Sequence, residues 1–212
     1  QCGDTLTDIR NGQKYPTVQI GTQCWMAENI NIGVMVISTN TGSAHSDISD
    51  NGLIEKYCYN NDLSNCDVYG GLYDWNEAMG YNSIEGSKGI CPTGWHIPSD
   101  HEWQNLEGYA DSYYDVGDSI WALYGVRGFD AGGRLKSTSL LWNYPNVEAS
   151  DITRFAALPG GYRYNSGSFL GVGTHFSMWS SSTYSSYECW KVTLTNSNKE
   201  SAHIRAPYDF GY

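Results

Sequence analysis

The chain has 212 residues, of which 24 are Gly, 17 are Tyr and 8 are Trp, and 17% of its residues are charged. Its 12 Lys and Arg against 23 Asp and Glu give a formal net charge of −11, and the absence of clustered cations argues against a nucleic-acid groove or an anionic-membrane patch. No apolar run approaches the roughly 20 residues that cross a bilayer, so we expect one domain over residues 1–212 with short strands, tight turns and long ordered loops.

Residues 1–32 are predicted to form an N-terminal strand region. An Asn11-Gly12 pair between two extended segments favours a hairpin. Residues 33–57 are expected to be a long surface loop, because most of this segment is rich in Ser, Thr, Asn, Gly and Asp and poor in apolar side chains. Apolar residues at helical spacing across 72–79 then indicate a first short helix.

A second helix is predicted to begin after Ser99. Ser99 and Glu102 form an S-x-x-E capping box, in which each side chain accepts a hydrogen bond from an otherwise unpaired backbone N–H group. Trp103, Leu106 and Ala110 then fall on one helical face, so we expect an amphipathic helix of about three turns.

The C-terminal half of the chain favours strands. Residues 110–154 mix aromatic residues with glycines and show no periodicity, whereas 176–179 and 190–194 have the apolar or alternating pattern of strands. The predicted fold class is therefore α+β, with two short helices and many short antiparallel strands.

The six cysteines indicate disulfides and an oxidising compartment. Their number is even, and they form no C-x-x-C pair or zinc-finger spacing, so we expect no metal site there. Cys58 and Cys66 flank a polar, turn-forming segment, which favours a local bridge between them. Of the three ways to pair the other four, we favour Cys2–Cys24 and Cys91–Cys189, and the alternatives stay open. The first residue is Gln1 rather than Met, which fits a removed signal peptide. A secreted or surface-exposed protein is expected.

Five motifs occur along the chain in the order QIGTQCWMAEN (19–29), YGGLYDW (69–75), CPTGWHIPSDHEW (91–103), ALPGGYR (157–163) and WSSS (179–182). In this order they resemble the motifs of a known family, the Fibrobacter succinogenes major paralogous domain of secreted and surface proteins in bacteria. The resemblance implies a C-type-lectin-like fold, related to that of formylglycine-generating enzymes. It does not imply a biochemical role, because none is defined for the family.

One departure from the family pattern concerns the C-terminus. Family members usually continue into a final strand with a Ser-Val-Arg-Cys sequence, whereas this sequence ends at Phe210-Gly211-Tyr212. Cys189 stands where a small residue is expected, so it is a candidate to replace the terminal cysteine as the partner of Cys91. The alternative is that the C-terminus was processed.

The sequence does not predict an enzyme. It contains no G-x-S-x-G, H-E-x-x-H or phosphate-cradling motif, and His96 and His101 are spaced too far apart to share a helical face. The formylglycine-generating relatives use a pair of reactive cysteines late in the chain, where only Cys189 is found here. No cofactor is expected. Calcium is an open alternative, because two loops supply oxygen ligands without EF-hand spacing: Asp47, Asp50, Asn51 and Glu55 in one, and Asp62, Asn65 and Asp67 in the other.

Residues 162–187 form the predicted ligand-binding face. This segment is dense in Tyr, Ser, Asn and Gly, a composition typical of antibody paratopes. The candidate ligand-binding residues are Tyr162, Tyr164, Asn165, His175, Trp179, Tyr184 and Tyr187. The competing interpretation is that these strands only face water.

Two functions follow from these observations. The first is a non-enzymatic structural subunit of an extracellular filament or cell-surface layer, because Tyr and Trp on a weakly charged surface favour self-association. The alternative is a binding module that recognises a glycan or a surface protein through residues 162–187. Neither interpretation involves nucleic acid or membrane insertion.

Overall fold

The computed structural model describes all 212 residues, Gln1–Tyr212, and confirms the predicted α+β class with four helices and eleven strands. The helices are α1 (Leu63–Tyr69), α2 (Trp75–Ala78), α3 (Asp100–Ala110) and α4 (Ala131–Leu135), with short 3₁₀ turns at Tyr59–Asn61 and Ser119–Ala122. The strands are β1 (Thr5–Thr7), β2 (Lys14–Ile20), β3 (Gln23–Met26), β4 (Val34–Met35), β5 (Glu55–Lys56), β6 (Gly125–Arg127), β7 (Gly160–Arg163), β8 (Phe169–Val172), β9 (His175–Thr183), β10 (Glu188–Thr195) and β11 (Ser201–Pro207).

The strands form four small sheets. An N-terminal antiparallel sheet has the order β1-β2-β3, and the main antiparallel sheet has the order β6-β11-β10-β9. The pairs β7-β8 and β4-β5 complete the set, and β4-β5 is parallel. One face of the main sheet packs against α3, where Val192 and Leu194 of β10 meet Trp103 and Leu106 in the largest apolar cluster.

The N-terminal hairpin is confirmed. β1 and β2 pair around a turn in which Gly12 has φ +76°, a conformation that favours glycine. The buried Asp8 carboxylate accepts two hydrogen bonds from the Arg10 guanidinium, whose Nη2 also donates to the carbonyl oxygen of Ile90 at 2.8 Å. These contacts attach the turn to the body of the protein.

The predicted three-turn helix is α3. Ser99 caps it, and both hydrogen bonds of the capping box with Glu102 are present. Trp103, Leu106 and Ala110 are buried as their spacing predicts. The helix therefore lies where local sequence rules place it.

The structure contains two more helices than predicted. α1 occupies the segment expected to be a polar loop, and its apolar side chains Leu63 and Val68 are exposed, so it lacks the periodicity of a packed helix. α4 contains Gly132 and Gly133, which helix propensity disfavours. A Cβ atom on Gly132 would clash with the backbone carbonyl of Glu200, so the close approach of this backbone explains the glycine.

Residues 33–57 are only partly a surface loop. β4 and β5 lie at the ends of this segment, and Ser38 and Ile48 are buried. The side chain that holds the segment is Arg163 at the end of β7. Its Nε donates to Ser38 Oγ at 2.6 Å, one Nη donates to the carbonyl oxygen of His45 at 3.1 Å, and the other pairs with Asp47 Oδ2 at 3.0 Å.

Arg163 also holds the C-terminal segment. Its Nη1 donates to the carbonyl oxygen of Asp209 at 3.1 Å, and its main chain exchanges two hydrogen bonds with Gly211, each 2.9 Å long. The guanidinium carbon lies 4.4 Å from the centroid of the Tyr57 ring, a cation–π distance. One fully buried arginine thus joins three parts of the chain that are distant in sequence.

Two other buried cations organise the region between 110 and 200. Lys136 Nζ donates to three carbonyl oxygens at 2.8–3.0 Å, those of Val147, Thr195 and Asn198. Arg127 donates to both carboxylate oxygens of Glu107 and to the carbonyl oxygen of Trp121, and the side chains of Arg127 and Glu107 are completely buried. The glycine-rich region that showed no periodicity is therefore ordered by non-local hydrogen bonds.

Two of the three predicted disulfides are present, Cys2–Cys24 and Cys58–Cys66. The predicted Cys91–Cys189 bridge is wrong, because both residues are free and buried. They belong to one apolar cluster but pack there as small apolar side chains, and Cys189 Sγ lies 3.9 Å from the carbonyl oxygen of Ala206 on β11. Burial raises the pKa of the Cys91 thiol to about 12, so the thiol stays protonated at neutral pH.

Candidate functional site

A groove of about 740 Å³ lies beside the N-terminal sheet, and we call it the aromatic groove. One wall is formed by residues of β1 and β3, and the other by segments 94–98 and 155–158 together with β9. Its volume falls in the range of sites that hold small ligands or the anchoring side chains of a larger partner.

The floor of the aromatic groove is a cluster of packed aromatic rings. Trp25 and Trp103 have their ring centroids 4.8 Å apart, and Phe155 lies 5.8 Å from Trp25 in an edge-on orientation. Phe176 continues the cluster 5.9 Å from Phe155. All four side chains are buried, so each ring is held by its neighbours. The floor is a preformed apolar surface.

The side chains of the aromatic groove that are accessible to a ligand lie in its walls. Trp95, Met26 and Met178 are half-buried and line it. Six of the eight tryptophans donate their indole N–H to an atom of this chain. Trp95 does not, so its N–H is free to donate to a ligand.

The polar groups at the rim are already engaged. His96 Nε2 lies 2.8 Å from Glu102 Oε1, and the other Glu102 oxygen accepts from the backbone N–H and the hydroxyl of Ser99. Burial alone would raise the pKa of the Glu102 carboxyl, but the hydrogen bonds from Ser99 and His96 outweigh burial and lower it. This carboxylate is therefore committed to capping α3.

The structure does not bring the predicted face of residues 162–187 together at one surface. Tyr162, Tyr164 and His175 cluster with Phe210 and Tyr212. Trp179 is a core residue, whose indole N–H donates to the carbonyl oxygen of Tyr73 at 2.8 Å. Its side chain is 5% exposed, so almost none of its surface is open to a ligand.

The remaining predicted residues lie elsewhere. The main-chain carbonyl of Asn165 accepts from the backbone N–H of His45, which joins it to the loop that Arg163 holds. Tyr184 and Tyr187 are exposed at the end of the main sheet, next to Trp190. The composition of this segment does not reveal that its side chains lie apart. They lie apart because β7, β9 and β10 place them in different parts of the structure.

A buried lysine beneath Tyr162 escaped the sequence analysis. Lys191 Nζ lies 3.8 Å from the centroid of the Tyr212 ring, 5.7 Å from that of Tyr162 and 3.5 Å from Ser177 Oγ, with no carboxylate in ion-pair distance. Lys191 lies in a segment with the alternating pattern of a strand, and that pattern did not indicate that its side chain is buried. Desolvation lowers its pKa to about 7.

Two carboxylates of the candidate calcium loops have partners within the chain. Asp47 pairs with Arg163 and accepts from Thr39, and Asp62 caps α1. No group of three or more His, Cys, Asp or Glu side chains is placed to hold a metal ion. Calcium therefore enters none of the proposals below. The chain also has no helix with the length and apolar character needed to cross a bilayer.

The buried position of Lys191 predicts a pH dependence of stability. Because its pKa is below the ordinary 10.5, the unfolded chain binds more protons between pH ~7 and ~10.5, and the free energy of unfolding rises with pH in that window. We expect Lys191→Met to remove this contribution and to stabilise the protein below pH 7 by roughly 1–3 kcal/mol. Urea unfolding over this pH range measures both effects. The exposed Lys14→Met variant is the control, and curves for wild type and Lys191→Met that run parallel would contradict the assignment.

Comparison with known proteins identifies the family. No curated protein and no solved structure matches the chain, so the C-type-lectin-like fold stays an implication of the resemblance. The Fibrobacter succinogenes major domain matches residues 18–208, which include every residue of the groove lining except those in 1–17. The chain belongs to the Fibrobacter succinogenes major domain family.

Proposed function

We propose that this chain is an extracellular, non-catalytic binding module and that the aromatic groove holds an apolar part of its ligand. The observation that carries the proposal is the groove itself, with four packed aromatic rings as its floor and the free indole N–H of Trp95 in its wall. A site that is mostly apolar with one or two oriented polar groups is typical of ligand binding.

The chemistry of the aromatic groove supports binding rather than catalysis. Glu102 is occupied by the cap of α3 and by His96, and the Cys91 thiol in the lining is protonated at neutral pH. A hydrolytic or transfer reaction would need a nucleophile within hydrogen-bonding reach of a base. No such pair lines the groove.

The two disulfides support an extracellular location. Cys2–Cys24 ties the N-terminus to β3 in the wall of the aromatic groove, and Cys58–Cys66 clamps α1. Disulfides of this kind persist in oxidising compartments and are rare in the cytosol. A secreted or surface-exposed protein is the location that fits them.

Binding of N-phenyl-1-naphthylamine, a neutral aromatic fluorophore, tests the aromatic groove. We expect its fluorescence to rise with the folded protein and Met26→Lys to weaken its affinity by about tenfold or more, because a charge would enter the apolar wall. Met35→Lys is the matched control, since Met35 is half-buried on β4 and outside the groove. Equal effects of the two substitutions on affinity, or no fluorescence change with the wild type, would contradict the proposal.

A second candidate function is self-association into a filament or surface layer. The supporting observation is a segment with protruding apolar side chains: Leu140 is fully exposed, Tyr144 is 95% exposed and Ile152 is 62% exposed. Contiguous exposed apolar groups are typical of protein interfaces, and a heterologous contact between identical copies propagates as a fibre.

Sedimentation velocity and electron microscopy of the purified protein test self-association. We expect concentration-dependent oligomers or filaments that disappear in a Leu140→Ser/Tyr144→Ser double variant, because the protruding apolar contacts are lost. Ile84→Ser removes another exposed apolar side chain, 68% exposed, from a different loop and is the control. A wild-type protein that remains monomeric up to high concentration would exclude this candidate.

A further inference from the structure

Arg205 lies between two exposed tyrosine rings at the end of the main sheet. Its guanidinium carbon is 4.3 Å from the centroid of Tyr184 and 5.3 Å from that of Tyr124. The side chains of Tyr184 and Tyr124 are 51% and 61% exposed. Such stacking fixes the plane of a guanidinium while leaving its N–H groups at the edge free.

The guanidinium of Arg205 has no partner within the chain. Four of the six arginines form ion pairs, those of Arg10, Arg127, Arg134 and Arg163, whereas Arg205 and Arg154 form none. Arg205 is exposed, and its side chain donates to no acceptor of the chain. In a protein with 23 acidic residues, an arginine oriented by two rings and left without a carboxylate has its hydrogen-bonding edge available to a ligand.

Trp190 completes this surface. It lies directly opposite Arg205 in the β10-β11 register, 5.2 Å from Tyr184 and 6.4 Å from Tyr124 between ring centroids. With Trp95, it is one of the two tryptophans whose indole N–H has no acceptor within the chain. Its ring stacks on the buried His203 at 4.1 Å.

His203 fixes the position of Trp190 from below. Its Nδ1 lies 3.1 Å from the carbonyl oxygen of Leu123, and its Nε2 lies 2.8 Å from Asp100 Oδ1 at the first turn of α3. Trp190 therefore packs on a histidine whose two ring nitrogens each lie close to an oxygen atom of the chain. We call the surface formed by Tyr124, Tyr184, Trp190 and Arg205 the arginine platform.

We propose that the arginine platform binds an acidic sugar, one whose ring carries a carboxylate. The planar guanidinium pairs with the carboxylate through two parallel hydrogen bonds. The apolar C–H face of the sugar packs on the exposed Tyr124 ring, and the Trp190 N–H donates to a hydroxyl group. A net charge of −11 repels anions in general, so recognition of this anion depends on the guanidinium of Arg205, which the two tyrosine rings orient.

Isothermal titration calorimetry with trisaccharides of galacturonic acid and of glucuronic acid tests the proposal. We expect the wild type to bind at least one of them and to lose binding when the carboxylates are methyl-esterified, because the ester cannot accept the bidentate pair. Arg205→Gln weakens binding by about 10- to 100-fold, the range for a hydrogen bond to a charged group. Arg205→Lys keeps the charge without the fork and is also weaker than the wild type.

Arg154→Gln is the matched control, since it removes the other arginine that has no ion pair. We expect it to bind as the wild type does, and Tyr124→Ala to bind more weakly while still preferring the free acid to the ester. Near-UV circular dichroism verifies that each variant is folded. No binding of either acid by the wild type, equal binding of acid and ester, or equal losses in Arg205→Gln and Arg154→Gln would each overturn the proposal.

The arginine platform is distinct from the aromatic groove, because Tyr124, Tyr184, Trp190 and Arg205 are all absent from the groove lining. Met26→Lys in the groove therefore leaves binding of the acidic sugar unchanged, and its effect separates the two sites.

Discussion

Buried cations supply the hydrogen bonds on which this loop-rich fold depends. A buried backbone carbonyl needs a donor, and long irregular segments do not provide it through helices or sheets. Arg163 and Lys136 reach carbonyl oxygens of segments distant in sequence, and Arg127 joins the carboxylate of Glu107 to the carbonyl oxygen of Trp121. Arg163 is the most connected, because it joins the loop at 38–47, the C-terminal segment and the ring of Tyr57. These few side chains replace the regular structure that the glycine-rich sequence lacks.

The candidate binding surfaces differ from the scaffold in the hydrogen bonding of their tryptophan and arginine side chains. Most tryptophans and arginines are satisfied inside the chain, so the side chains left without partners stand out. Trp95 lies in the wall of the aromatic groove, and Trp190 and Arg205 lie together on the arginine platform. Both surfaces rest on preformed aromatic packing, which lowers the entropy lost when a ligand binds. These two surfaces are the basis of our proposal that the chain is a non-catalytic binding module outside the cell.

Local sequence rules predicted the elements that local contacts determine. The capping box located α3, the Asn11-Gly12 pair located the first hairpin, and the short spacing of Cys58 and Cys66 predicted their bridge. The free, buried state of Cys91 and Cys189, the helix α4 and both binding surfaces depend on contacts between distant segments, for which a single sequence carries no periodic signal. Tyr184 and Tyr187 were recognised as candidates from composition, but β11 and the residue before β6 supply Arg205 and Tyr124.

Hydrogen exchange of wild type and Arg163→Lys, followed by mass spectrometry, is the most direct test of the organising role of Arg163. A lysine keeps the positive charge but cannot make the four side-chain hydrogen bonds of the arginine. We expect amide protection to fall by about tenfold or more in residues 38–48 and 208–212 together, while α3 and β10 keep theirs. Unchanged protection in these two segments, or a loss in only one of them, would contradict the claim that a single buried cation joins them.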